Sequence, residues 1–385
     1  MRKMTAISEE IFSAIPMPTW RWLGVNEAKV PAGIDTKNTK IKRIKLAAGE
    51  KRTITRKETA GYKELRITLE PWADLTLEQA VLLGEGESSA TKVKVKVKDA
   101  AKFSYTGAFL GGKEAVADLE VKLLGKEAKA DVWALYLGDK GNKIDLNYVI
   151  RQEGRRTEAN MQVRGALLEG AEKIFRGTLD FLQGTKGSVG RENEEVLLLS
   201  DDVRNRSVPL MLSHEDEVDG HHAVSVGQMD EEKLFYLQSR GLSTAEARRL
   251  MVTAILQPVL DRFSEDLRQE AAESCATEAV SMKQHYNQQR IERQQPMHNV
   301  HEKLQQERGK LSNKEGEVLK EQTARVLYLT GLTLMDLSKK TGTGVRKALH
   351  ENTIAKQTER LKNDPAFRRL LSRPEKELRA LAAGE

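Results

Sequence analysis

From about Ile41 onward the chain alternates apolar and polar positions in short runs, the period of a half-buried strand. Ile41/Ile44, Ile54, Leu65-Ile67-Leu69 and Val93-Val95-Val97 carry this pattern. Lys92–Lys98 (KVKVKVK) is the clearest case, with three valines on one face and lysines on the other. Further runs follow at Val116–Leu124, Asp131–Leu137, Ile144–Ile150, Met161–Leu168, Lys173–Phe181 and Glu195–Leu199. Turns rich in Gly, Asn, Asp or Lys separate them. No helix-length apolar stripe falls between these strands, which argues against a doubly wound sheet. Pattern alone leaves a sandwich, a barrel and a parallel β-helix open.

Helical patterns flank this β region. Ile7, Ile11, Phe12 and Ile15 suit a short amphipathic helix stopped by Pro16 and Pro18, with Trp20 and Trp22 placed to anchor it on the body. At the other side, Met229-Asp230-Glu231-Glu232 opens a helix through Leu234–Leu237, with Arg240 near its end and Gly241 as the C-cap. Ser243 or Thr244 then caps a second helix through Ala245–Leu260. Leu234, Phe235, Leu237, Leu250, Val252, Ile255 and Leu256 are spaced by about three and four, as a packed helix face requires. Residues 264–325 suggest a long charged helix, with a short coiled-coil seam at Val300, Leu304, Leu311 and Val318 that Gly309 and Gly316 weaken. The organisation expected is a helical segment over 1–35, a β core over 36–230, a helical segment over 231–263 and a charged, mostly helical extension over 264–385.

Composition changes this picture in three ways. No run of eighteen apolar residues occurs, so no transmembrane helix is expected, and the first residues lack the apolar core of a signal peptide. The single cysteine, Cys275, excludes intrachain disulfides, and the cytoplasm is the default address. The net charge of +6 is uneven: residues 276–385 hold 21 Lys/Arg and 14 Asp/Glu, the remainder 42 and 43. Within that basic tail, Leu337–Val345 faintly resembles a helix-turn-helix, followed by Arg346 and Lys347. A nucleic-acid-binding protein acting through the extension is therefore the alternative reading.

The densest chemistry lies at Val208–Val252. Three of the seven histidines, His214, His221 and His222, fall there within nine positions, interleaved with Glu215, Asp216, Glu217 and Asp219. Neutral imidazole and carboxylate are ligands for iron and zinc. Being adjacent, His221 and His222 face opposite sides of any strand that carries both. His214 and Glu215 reach the same ion only if the EDEVDG turn folds back. There is no Walker A motif, so the chain is not expected to bind or hydrolyse nucleotide itself.

The stretch HHAVSVGQMDEEKLFYLQSRGLS resembles the signature of the SufB/SufD family, scaffold proteins of SUF-type iron–sulfur cluster assembly. Phe175–Leu212 and PTWRWLGVN (Pro18–Asn26) are similar to further segments of that family. The resemblance implies a mainly β fold, a right-handed parallel β-helix core with flanking helices. It implies a non-catalytic scaffold, closest to the SufD-like role, pairing with a SufB-like paralogue or with itself. His222 stands at the family's signature histidine, which is implicated in cluster assembly where two scaffold subunits meet. His221, His214 and Glu215 are supporting metal candidates. Leu234, Phe235, Tyr236, Leu237, Arg240, Leu250 and Ile255 fall in the segment that docks a SufC-like ABC-type ATPase. Related sequences place a cysteine near Ser213 or Gly220, and thiolate is the usual cluster ligand. With neither cysteine here, the resemblance implies an iron–sulfur cluster held transiently, with thiolates from a partner.

Overall fold

The computed structural model describes residues 10–19, 21–37, 40–228 and 231–275. The expected coiled coil and helix-turn-helix lie outside the described residues. Two seven-stranded parallel sheets make up the core. One contains β3 (Lys42–Leu46), β5 (Gly61–Leu69), β7 (Ser88–Val97), β9 (Glu114–Leu123), β11 (Lys143–Gln152), β13 (Glu172–Phe181) and β15 (Arg204–Ser213). The other contains β4 (Lys51–Glu58), β6 (Asp74–Leu83), β8 (Lys102–Gly111), β10 (Lys129–Gly138), β12 (Glu158–Leu167), β14 (Val189–Leu198) and β16 (Asp219–Gln228). Consecutive strands alternate between the sheets and each pairs with the strand two places on, so the chain winds as a β-solenoid, the parallel β-helix class.

Register explains how the core forms. Leu46, Leu69, Val97, Leu123, Gln152, Phe181 and Ser213 are successive ladder partners in one sheet. Ile54, Leu77, Tyr105, Val132, Met161, Glu192 and His222 are successive partners in the other. Inward positions of both sheets merge into one apolar column from Ile44 to Val196. In β7 the three valines are buried, while Lys94 and Lys96 are exposed, as their alternation predicts. Strands β6 and β8 lack such alternation because their C-terminal halves are buried on both faces. Ala80, Ala108 and Leu110 lie under a helical layer on the outer side.

One corner repeats in the first six of the seven coils. Gly49, Trp72, Ala100, Glu127, Arg156 and Gly187 all have left-handed backbones. Each donates its N–H to the coil above, from Gly49 to Pro71 O at 3.0 Å through Gly187 to Glu217 O at 2.7 Å. The residue that follows turns inward and, from the second coil on, is small and buried: Ala73, Ala101, Ala128, Thr157 and Ser188. Just before this corner, Gly125 and Gly154 stack backbone on backbone. A Cβ on Gly154 would lie 2.0 Å from Gly125 O.

The amino-terminal segment differs from the expected helix. Ile11–Ala14 is a strand, β1, paired antiparallel with β2 (Glu27–Lys29). Phe12 and Ala28 pack on Ala90 and Val116 of the β5/β7/β9 sheet. Partners for this short strand, rather than helical spacing, decided its conformation. Lys92 Nζ donates to Phe12 O at 2.8 Å. The buried Arg176 guanidinium donates to Val25 O, to Glu27 O at 3.0 Å and to Asp145. Trp22 is 80% exposed and anchors nothing.

After β16 come α1 (Glu231–Ser239) and α2 (Thr244–Leu260). Gly241, at φ 95°, ends the first helix as predicted. Ser243 caps the second with a reciprocal box to Glu246. Val252, Leu256, Val259 and Leu260 pack on the outer face of the β10/β12/β14 sheet, and the packing continues past Phe263 through Leu267, Ala271 and Cys275. Asp131 pairs with Arg262, and Glu78 accepts from Ser264 N at 3.0 Å and Oγ at 2.6 Å.

Because backbone rather than a pliable side chain meets the added methyl, Gly154→Ala is expected to lower stability by about 1–3 kcal/mol. Urea unfolding should show a lower midpoint at unchanged slope.

Candidate functional site

The solenoid ends at β15 and β16, and each has a partner on one side only among the described residues. Parallel pairing satisfies backbone groups with the neighbouring coil, so a last coil leaves a row of N–H and C=O groups unmatched. Its side chains share that position. The whole of β16 is exposed or half-exposed, and Met211, Val224 and Val226 are 40%, 37% and 48% accessible.

His222 sits on this rim. It pairs in register with Glu192 and shares a strand face with Gly220, where a Cβ would meet Met211 Sδ at 2.5 Å and Phe181 Cε2 at 3.3 Å. That face is the solenoid interior, so His222 continues the inward column at its open end and is exposed. His221 faces outward, its Nε2 2.8 Å from Asp219 Oδ1. The two imidazoles therefore diverge, as adjacency on a strand requires.

The other two candidates lie in the turn after β15. His214 is exposed, and its backbone N–H donates to Phe181 O at 2.8 Å. Glu215 folds its carboxylate onto the backbone, accepting from Gly184 N at 3.0 Å and Asp216 N at 3.1 Å. The Gly184 bond is the main reason its carboxyl is held below the usual range. Among the described residues no group of three His, Cys, Asp or Glu side chains is placed to hold a metal ion. Any cluster at the rim must take further ligands from elsewhere.

Sequence reasoning missed the layer under His222. Here the interior turns from apolar to polar. Met161 is followed in its ladder by Glu192, and Val163 by Glu194. Lys173, from the facing sheet, pairs with Glu194, both fully buried, and donates to Ser207 Oγ at 3.0 Å. Tyr136 OH donates to Glu194 at 3.1 Å. Burial lowers the Lys173 ammonium and raises the Tyr136 phenol. Glu192 is 2% exposed, crosses to Gly177, and both of its oxygens lack a hydrogen-bond partner. Burial, and then the nearby Glu194, push its carboxyl up to about 8. The signal was available: two glutamates at alternate positions of β14 occupy the inward phase.

The helical candidates divide by exposure. Tyr236 and Leu250 are 55% and 49% accessible, and Arg240 stacks on the Tyr236 ring at 5.2 Å. Leu234, Leu237 and Ile255 are half-buried, the last packed against the body. The side chain of Phe235 lies outside the described residues. Val252 and Leu256 belong to the buried face, so the apolar spacing read as one surface serves two.

Glu192 makes stability pH-dependent. Its folded value lies above the unfolded 4.5, so the folded chain keeps a proton that the unfolded chain releases. Its contribution is complete below about pH 4.5 and falls as pH rises to about 8, by up to about 1.4 kcal/mol per unit. In Glu192→Gln that slope should disappear from unfolding free energies measured between pH 5 and 8.

Comparison with known proteins agrees with this geometry. A family model described as SUF system FeS cluster assembly, SufBD core domain, matches residues 44–255, more than half of the chain. The chain is 27% identical over 163 residues to the iron–sulfur cluster assembly protein SufD of Bacillus subtilis, covering 42% of this chain and 37% of that protein. It is 30% identical over 168 residues to an iron–sulfur cluster assembly SufBD family protein of Pyrococcus horikoshii, covering 43% and 37%. The match thus spans little more than a third of the length of these relatives. The family match over more than half of the chain, with a β-solenoid running through the matched residues, places this chain in the SufB/SufD family of SUF-type iron–sulfur cluster assembly proteins.

Proposed function

We propose that the chain is a SufD-like, non-catalytic scaffold subunit that lends the His222 imidazole to a cluster assembled at a subunit boundary. The observation that carries this reading is the exposure of His222 on a ten-residue edge strand that is paired on one side only among the described residues. Parallel edges of this length invite further strand pairing, and the apolar Met211, Val224 and Val226 favour a covered state. In this reading a SufB-like paralogue covers the rim and supplies the thiolates, since Cys275 is buried against the helical layer. A second copy of this chain is the rival occupant. The cluster is cargo, held transiently between the two subunits.

A SufC-like ATPase is the second partner in this reading. Tyr236, Arg240 and Leu250 form the accessible part of the helical hairpin, while Val252 and Leu256 fix that hairpin to the body. Nucleotide-driven movement of the ATPase would then reach the rim through α1, which directly follows β16. Among the described residues no helix is long and apolar enough to cross a membrane. A cytoplasmic setting fits the iron and sulfide chemistry.

Co-expression with SufB-like and SufC-like proteins should yield a stable complex. Anaerobic reconstitution of that complex with iron and sulfide should give cluster absorption that His222→Ala largely removes. Leu250→Glu should release the ATPase while leaving the melting temperature of the isolated chain unchanged. Failure of any complex to form, or full cluster yield in His222→Ala, would overturn the assignment.

A further inference from the structure

Glu192 has no structural account so far. An isolated buried carboxyl is costly unless hydrogen-bonded or paired. Its neighbour Glu194 has both kinds of support, from Lys173 and Tyr136. Glu192 has neither, although it is 2% exposed, and it replaces the apolar residues that occupy its ladder position in five earlier coils. The one polar residue next to it in that ladder is His222. Adjacent strands stand about 4.8 Å apart, so two inward side chains at paired positions can reach one ion. Imidazole nitrogen with carboxylate oxygen is a donor set suited to ferrous iron.

We propose that Glu192 and His222 form a two-ligand half-site for a divalent iron ion, with Glu192 as the inner ligand reached from the open end of the solenoid. This rests on the scaffold reading above and extends it: the rim would hold iron through this chain's own residues before any thiolate arrives. Water or the covering subunit completes the coordination, since among the described residues no third His, Cys, Asp or Glu is placed to join them. The outward pair His221 and Asp219 takes no part, because it lies on the opposite face of β16.

The test uses the purified full chain under anaerobic conditions with cobalt(II) as a spectroscopic stand-in for iron(II). Wild type is expected to give ligand-field absorption and a metal-dependent rise in melting temperature. Glu192→Gln should weaken binding by about ten- to a hundred-fold, the range typical for loss of a supporting group at a metal site. Glu192→Met keeps an apolar-compatible side chain in the column that holds Met161, so it should fold and show the same loss even if the Gln variant does not fold. His222→Ala should lose binding to a similar degree and His221→Ala should retain it. If only His222→Ala weakens binding, Glu192 is not a ligand and the half-site falls while the scaffold reading stands. If wild type binds no cobalt, or if no rim variant alters binding, the half-site is likewise overturned. The scaffold assignment would then stand or fall on the reconstitution of the complex.

Discussion

Everything in this molecule depends on each coil being the template for the next. Parallel ladders join strands two places apart in sequence, and the strand donors in the body of the solenoid find their acceptors one coil away, while turn donors such as Ala73 N and Ala101 N bond within their own coil. The side chains obey the same rule, since an inward residue rests on the inward residue of the coil below. Such an arrangement has no natural stopping point. It must be ended by a covering element or left as a reactive edge.

The two sides of the body show what a covered surface looks like. On one, the β1–β2 segment is fixed by Arg176, Asp145 and Lys92. On the other, α2 and the residues after it bury an apolar layer and are pinned by Arg262 and Ser264. The rim at β15 and β16 has no comparable cover among the described residues, and the polar layer of Lys173, Glu192 and Glu194 lies directly beneath it. Ion pairs inside an apolar column stabilise poorly compared with a hydrocarbon core. A second inward pair, Arg56 with Glu58, lies in the first coil, so both ends of the column turn polar, and the end beneath β15 and β16 is the one that lies under an exposed histidine.

Much of the fold was legible in the alternation of Val93, Val95 and Val97 or of the runs after Val116. The strands at Asp74–Leu83 and Lys102–Gly111 were not, because burial on both faces erases alternation. The coil repeat was hidden for a related reason. It is carried by a left-handed residue followed by a small one, and the left-handed position accepts Trp72, Ala100, Glu127 and Arg156 alike. At the candidate site, the opposite facing of His221 and His222 was readable from their adjacency on one strand. The inward phase of Glu192 was signalled by its alternation with Glu194, but its place beside His222 was not, since only register between strands thirty residues apart sets it. The helix expected at Ile11–Ala14 failed because a long-range partner outweighed local spacing.

Arg176 has one further consequence. It lies on β13, about 150 residues from the carbonyls of Val25 and Glu27 that it grips. During synthesis those carbonyls leave the ribosome long before the guanidinium does, so Ala90, Lys92 and Val116 are the strap's first anchors and the Arg176 clamp is added coils later. That clamp is a late event: once β13 has joined its sheet, β15 is still to be added there and β14 and β16 in the other.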